Sequence, residues 1–363
     1  MSSQPRSDHD AEGSDASDAS AMSVSVGSRR ISARRISLIA GLGILLGFPA
    51  VFPNFIVGIL LLALIFGIFA ISIDLLWGYT GILTFGHAVF FGLGAYLMAK
   101  VLAEVGTSPS LLLAGVIVTV ILTGLLGGLI AGILFNRGIS EDYFAIITLA
   151  LAIIAEQTAV SWSSVTNGAN GFIVPTPRVG IPGVLTIEFS GLVLYYAVVL
   201  LIVGSYALSR RIVRSPFGTT LVAIRENETR ASSLGYDVDA YRTAIFGISS
   251  AIAGFAGTLY PISEGFVSPP ILGFIQSTNA LIWVLVGGRG TLVGPIIGAS
   301  TLNLFEELIS GLFLRSWTLV LGLTLILIVL VFPGGIVGLF ERLQERLAER
   351  VSSTAEESGE HEQ

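Results

Sequence analysis

The run SRRIVRSPFGTTLVAIRENETRASSLGYDVDAYR, Ser209 to Arg242, is the one long polar insertion between apolar segments of this chain. It holds Arg210, Arg211, Arg214, Arg225, Arg230 and Arg242, and on either side lie apolar runs long enough to cross a bilayer. Short loops rich in arginine stay on the cytoplasmic side, so this loop orients the whole chain. Inside it, Ser215 is placed to cap a helix, and Pro216 suits the first helical position, where a missing N–H costs nothing. Leu221 and Ile224 fall on one face with Val222 beside them, while Arg225, Glu226, Asn227, Glu228 and Arg230 cover the rest. Gly235 is placed for a left-handed stop, and Asp237 or Asp239 for the cap of the next helix. The expectation is one short helix over 215–235. A bare surface helix would press its acidic residues against an anionic leaflet, which disfavours them. A docking helix for a cytoplasmic partner is the better reading.

Composition agrees with a chain that lives in a membrane. Of its 363 residues, 53% are hydrophobic and 12% charged, and the mean hydropathy is +0.84. Soluble domains carry about 25% charged residues. The 43 glycines suit helices that pack closely or break within the bilayer. With no cysteine, thiol catalysis, disulfides and cysteine-ligated metals are excluded. Lys100 is the only lysine, and no phosphate-binding glycine loop surrounds it. If ATP drives this protein, another subunit hydrolyses it.

Ten spans are expected, near 37–53, 55–74, 81–104, 110–135, 143–162, 190–208, 241–262, 272–287, 294–313 and 317–333, in an all-α polytopic membrane protein. Arg29, Arg30, Arg34 and Arg35 ahead of the first span place the N-terminus inside. Counting from there, Arg137, the 209–242 loop, Arg289 and the C-terminus all fall inside. The first 36 residues read as a polar cytoplasmic tail, 37–340 as the membrane domain and 341–363 as a charged cytoplasmic tail. The outer segment 163–190, with Asn167-Gly168, Asn170-Gly171, Pro175, Pro177 and Pro182, reads as turns rather than helix.

Two glycine-spaced motifs interrupt the spans. One is Trp77-Gly78-Tyr79-Thr80-Gly81, running on to Gly86 and His87 directly after Asp74. The other is Gly287-Gly288-Arg289-Gly290-Thr291, running on to Gly294 and Pro295. Broken helices at membrane depth expose backbone groups that only a protein-lined cavity satisfies, and paired breaks in the two halves point to a transport path. Asp74, Gly78, Tyr79, Thr80, Gly81, His87, Gly287, Gly290 and Thr291 are therefore the candidates for that path. A packed ring hydrogen-bonded to broken backbone is the favoured role of His87. Asp74 and Glu156 are expensive in a span unless paired or wetted. One histidine outside the tails builds no metal site, and no hydrolytic constellation stands out.

The segments 74–99, 215–260, 284–299 and 331–339 together resemble the permease subunits of branched-chain amino acid ABC importers, in particular the M-type partner of their H/M pair. The resemblance covers about 36–340. It implies a second, similar permease, two cytoplasmic ATPases, an extracellular solute-binding protein and contact with membrane lipid, with no nucleic acid and no cofactor of its own beyond the ATP used by its partners. The 215–235 helix then becomes the coupling helix, with Phe217, Gly218, Arg225, Glu226, Asn227, Glu228 and Gly235 as candidate ATPase-coupling residues. The Trp77–Thr80 run also resembles urea permeases, so a urea or short-chain amide importer stays open. An ion-coupled secondary transporter using Asp74 or Glu156 is the rival of a different class, and a docking loop speaks against it. A cysteine placed at Ser232 tests the orientation: it is expected to stay unlabelled by an impermeant thiol reagent outside intact cells, and labelling there overturns the topology.

Overall fold

The computed structural model describes residues 40–105, 108–181, 185–188, 190–310 and 335–338. The tails, the expected span 317–333 and most of the 331–339 motif lie outside the described residues. Two units divide the chain, Met1–Phe52 and Pro53–Gln363. The described part of the first is helix α1 (Ala40–Val51), ending beside a Phe48–Phe52 stack at 4.3 Å.

The second unit is built of helices, as expected. They are α2 (Asn54–Thr80), α3 (Ala88–Lys100, continued by one π turn over Val101–Val105), α4 (Pro109–Phe135), α5 (Glu141–Ser161), α6 (Ser163–Thr166), α7 (Gly191–Val213), α8 (Pro216–Glu226), α9 (Glu228–Ser233), α10 (Val238–Glu264), α11 (Phe274–Gly287) and α12 (Gly294–Ser310). Five contain stretches long and apolar enough to cross a membrane: Asn54–Thr80, Pro109–Phe135, Tyr143–Ser161, Gly191–Val213 and Val238–Glu264. At 1.5 Å per residue a 27-residue helix such as α2 runs about 40 Å, beyond the roughly 30 Å of hydrocarbon it must cross.

Burial sorts these spans into inner and outer. The apolar window of α2 is 78% buried and that of α10 67%, against 22% for α4, 28% for α5 and 33% for α7. α2 packs against α12, α10, α7 and α11, and α10 against α4, α3 and α2. α4 turns Leu113, Ile117, Ile121, Leu125 and Leu129 outward, the composition of a lipid-facing surface. Small residues set the inner contacts. A Cβ on Gly94 would strike the carbonyl of Gly254, and one on Gly257 the carbonyl of Phe91, so α3 and α10 cross with their backbones nearly touching. Hydroxyls bond back within their own helices, Ser72 to Phe69 O (2.6 Å), Thr123 to Thr119 O (2.8 Å) and Thr148 to Ala145 O (2.9 Å), which pairs these donors at membrane depth.

Several expected boundaries move. α2 does not break at Gly78 but runs through it to Thr80, and the irregular stretch is 81–87. The third span accordingly starts at Ala88 rather than 81. The eighth starts at Phe274 rather than 272, with a 3₁₀ turn over Pro269–Leu272 before it. The 163–190 segment has turns at Asn167 (φ 62°) and Gly171 (φ 66°), but it also holds helix, in α6 and a 3₁₀ turn over Gly168–Asn170, and strands. β1 (Phe172–Ile173) pairs antiparallel with β4 (Phe266–Val267), and β2 (Arg178–Ile181) with β3 (Leu185–Glu188). Two-residue strands carry no periodic signal, and the β1–β4 partner lies far along the chain, so this ribbon was invisible to pattern reading.

The glycine crossing gives a direct test. Gly257→Val should force α3 and α10 apart, and overpacking of this kind costs about 1–3 kcal/mol. The expected result is a lower midpoint of thermal unfolding in detergent; an unchanged midpoint contradicts the crossing.

Candidate functional site

The carboxylate of Asp74 lies fully buried near the C-terminal end of α2. Its Oδ1 accepts from the backbone N–H of Gly290 at 2.6 Å and its Oδ2 from that of Leu292 at 3.0 Å. A buried carboxylate is tolerable when its lone pairs are met, and here a loop from the other half of the chain meets them. That loop joins α11 to α12 and is built of left-handed residues: Gly288 (φ 119°), Gly290 (φ 78°) and, against preference, Leu292 (φ 61°). The alternation turns the N–H groups of residues 290 and 292 the same way, making an anion-binding concavity whose anion is Asp74. A branched side chain in this region costs about 1–2 kcal/mol, offset by burial of Leu292 and its bond to Asp74.

The rest of the two glycine motifs closes around this contact. The Tyr79 hydroxyl donates to Gly290 O at 2.8 Å. Arg289 Nε donates to Trp77 O at 2.9 Å, and its guanidinium lies 4.8 Å over the Trp77 ring. A Cβ on Gly78 would overlap Asp74 and the Gly290 backbone, so glycine at 78 admits the loop rather than breaking the helix. Thr291 Oγ1 donates to Gly288 O (2.7 Å) and accepts from Gly294 N (2.9 Å), fixing the turn into α12. Thr80 Oγ1 donates to Leu76 O at 2.6 Å and accepts from Ile82 N. Gly287 packs on Gly294 without room for a Cβ. Thus Asp74, Gly78, Tyr79, Gly287, Gly290 and Thr291 form one joint between α2 and the α11–α12 loop.

His87 sits apart from that joint. Its ring is fully buried, parallel to Phe69 at 6.1 Å and edge-on to Phe90 and Phe246. The Ser249 hydroxyl donates to Ser72 O, so His87 Nε2, 3.0 Å from that hydroxyl oxygen, is the donor to it. The partner is a hydroxyl on α10, not the broken backbone that the sequence suggested, and the ring is a packing element.

The 209–242 segment attaches to this architecture at the C-terminal end of α2. Ser215 caps α8, accepting from Gly218 N, while a Cβ at Gly218 would collide with the Val213 backbone at the end of α7. The single helix expected over 215–235 is two. Asn227 (φ −158°, ψ 96°) leaves the helical region and caps α9, its side chain accepting from Arg230 N at 2.8 Å. Asparagine competes with the helix for its own backbone bonds, which is why the break falls there. Gly235 takes the left-handed conformation (φ 89°), and Asp237 rather than Asp239 caps α10 by accepting from Ala240 N. Leu221 and Ile224 are both buried, and Ile224, Ala231 and Val238 form a small core that Tyr241 covers. Phe217 stacks on Tyr241 at 5.3 Å.

Two arginines bind this segment to the spans. Arg225 Nη1 donates to Gly78 O at the end of α2, and a Cβ on Gly81 (φ 84°) would lie 3.2 Å from the Arg225 side chain. Burial pushes the Arg289 guanidinium below its usual range, Arg225 pushes the same way and Asp74 opposes both. Arg242 of α10, with a side chain only 6% exposed, pairs with Glu228 of α9 at 3.0 Å and with Glu141 of α5. Glu228 therefore has an internal partner, where the sequence had offered it to a docking protein. Glu226 and Asn227 are exposed, and so are Leu234 (73%) and Tyr236 (43%) at the tip of the segment. Arg242 and Glu141 were missed as site residues because a pair 101 positions apart leaves no local pattern. Among the described residues no group of three histidine or carboxylate side chains is placed to hold a metal.

A family model described as "Branched-chain amino acid transport system / permease component" matches residues 55–330. The chain is similar to the high-affinity branched-chain amino acid transport system permease protein LivM of Salmonella typhimurium, 30% identical over 329 residues, covering 84% of this chain and 75% of the relative. The LivM protein of Escherichia coli is 29% identical over the same spans. A probable branched-chain amino acid transport permease protein LivH of Methanocaldococcus jannaschii is 26% identical over 291 residues, 77% of this chain and 90% of the relative. No solved structure matches.

Asp74→Asn tests the joint. An amide keeps one acceptor oxygen and turns a donor toward an N–H, stranding a buried group at about 1–3 kcal/mol. Amide hydrogen exchange at Gly290 and Leu292 should quicken about tenfold or more; exchange at the native rate contradicts the joint.

Proposed function

The chain belongs to the family of permease components of branched-chain amino acid transport systems, and on that premise we propose that it forms half of the translocation path of an ATP-driven importer. A second, similar permease supplies the other half, two cytoplasmic ATPases supply the energy, and an extracellular binding protein delivers the amino acid. The substrate class follows from the relatives' names, which specify branched-chain amino acids. Similarity to both LivM and LivH permeases supports pairing of two related subunits. The termini and the 209–242 segment face the cytoplasm, and the chain itself is no enzyme.

The observation that carries this reading is the α8–α9 segment. It is a separately capped pair of short helices, packed on its own small core and bound to the inner ends of α2 and α10. Its tip turns Leu234 and Tyr236 outward. An arginine-rich cytoplasmic segment that ends in exposed apolar side chains fits a protein surface rather than water. A partner moving against that tip acts at once on the Asp74 joint through Arg225 and on α10 through Glu228.

Reconstitution tests the proposal. Vesicles holding this chain, its second permease and the ATPases should take up radiolabelled leucine when ATP is inside and the binding protein outside. The chain alone should hydrolyse no ATP above background. Uptake by the chain alone, driven by an ion gradient, sinks the importer reading. Leu234→Asp should lower the ATPase recovered with the permease pair by about tenfold, the loss of an interfacial apolar anchor worth about 1–2 kcal/mol, and normal recovery removes the tip from the docking surface.

A further inference from the structure

The charged cluster around Arg242 has no part in the joint between the glycine motifs. Helix α10 is an inner span that packs on α2, α3 and α4. An arginine within its first turns, 6% exposed, is costly unless its charge is met. Two carboxylates meet it, from elements that are otherwise separate: Glu228 at the start of α9 and Glu141 at the start of α5. Nη1 and Nη2 together grip both oxygens of Glu228, at 3.0 and 3.1 Å, and Nη2 also reaches Glu141. The guanidinium lies 5.6 Å over the Phe135 ring at the end of α4, which holds its plane.

We propose that Arg242 is the positioning residue that transmits motion of the coupling segment into the transmembrane helices, with Glu228 as its releasable partner and Glu141 as its permanent one. This inference rests on the importer reading above. The bidentate grip fixes α9 in orientation as well as distance, as a fork-to-fork pair does. The two carboxylates differ in what they are tied to. Glu141 opens the helix that carries a span, whereas Glu228 rides on a short helix outside the membrane. When α9 moves, Arg242 either follows it or gives up Glu228 while keeping Glu141. In the second case no uncompensated charge is left buried, so the segment has two accessible positions rather than one. Lysine does not replace this arrangement, because a single ammonium has no fork to span both oxygens of one carboxylate while touching a second.

The test uses the full complex in vesicles and reads two rates, leucine taken up and ATP hydrolysed. For Arg242→Gln the solute moved per ATP should fall about tenfold, a typical size for coupling between sites, while the assembled complex continues to hydrolyse ATP. Arg242→Lys should lie between this and the native ratio, and Glu228→Gln should follow Arg242→Gln. A native ratio in Arg242→Gln overturns the proposal. So does a parallel fall of both rates, which marks a merely structural residue. If the native chain recruits no ATPase at all, the importer reading fails and the transmission role fails with it; recruitment with a native ratio in all three variants removes the transmission role alone.

Discussion

A carboxylate buried in an apolar helix has to find donors, and Asp74 finds them on a loop 216 residues away. Most of the inner architecture follows from that requirement. The α11–α12 loop must bring two N–H groups to one point, which demands left-handed residues at 288, 290 and 292. It must also approach α2 closely enough to reach the carboxylate, which demands glycine at 78. Tyr79 and Arg289 then close the contact from either side. A hydrogen bond to a charged group contributes about 1.5–3 kcal/mol, so the two together are large enough to hold Leu292 in an unfavourable backbone conformation. One buried anion ties α2 to the α11–α12 loop.

That constraint explains which features were legible in the sequence. The pairing of Trp77–Gly81 with Gly287–Gly294 was visible, because glycine spacing around polar residues in an apolar run is itself unusual. The Ser215 cap, the Gly235 stop and an aspartate cap on α10 were visible too, since each is a local rule. What glycine does at 78 was not. The same residue type serves a break and a close approach, and only the position of the partner decides. The split of α8 from α9 at Asn227 was readable in principle from the capping preference of asparagine. It was hidden by treating the residue as one more exposed position on a continuous face. The Glu228–Arg242–Glu141 cluster and the β1–β4 ribbon depend on contacts between distant segments, for which single-sequence periodicity has no signal.

The geometry also separates the importer from a carrier that works by ion exchange. A proton-coupling carboxylate has to trade its partners during the cycle, from protein to water or substrate. Asp74 has both oxygens committed to backbone N–H groups of a strained loop, and releasing them would release the loop. His87 is equally fixed, in a cage of Phe69, Phe90 and Phe246 with its one polar contact on α10. Glu156, on α5, is half-buried against Gly273 at the start of α11. On the importer reading proposed above, the energy for transport enters through the 209–242 segment.

How such a push reaches the path depends on what yields. The contact of α3 with α10 has no slack, since the backbones at Gly94, Gly254 and Gly257 already meet. Close-packed contacts of this kind move as units or not at all. On the role proposed for Arg242, α10 moves together with α3 and the face of α4 packed on it. The Arg225 attachment acts elsewhere, on the carbonyl of Gly78 beside the α11–α12 loop. One displacement of α8–α9 therefore bears on two bodies, the α3–α10 pair and the Asp74 joint, at points fixed by different side chains. On the proposed coupling, these two bodies meet where α10 packs on α2, with the Ser249 hydroxyl donating to Ser72 O.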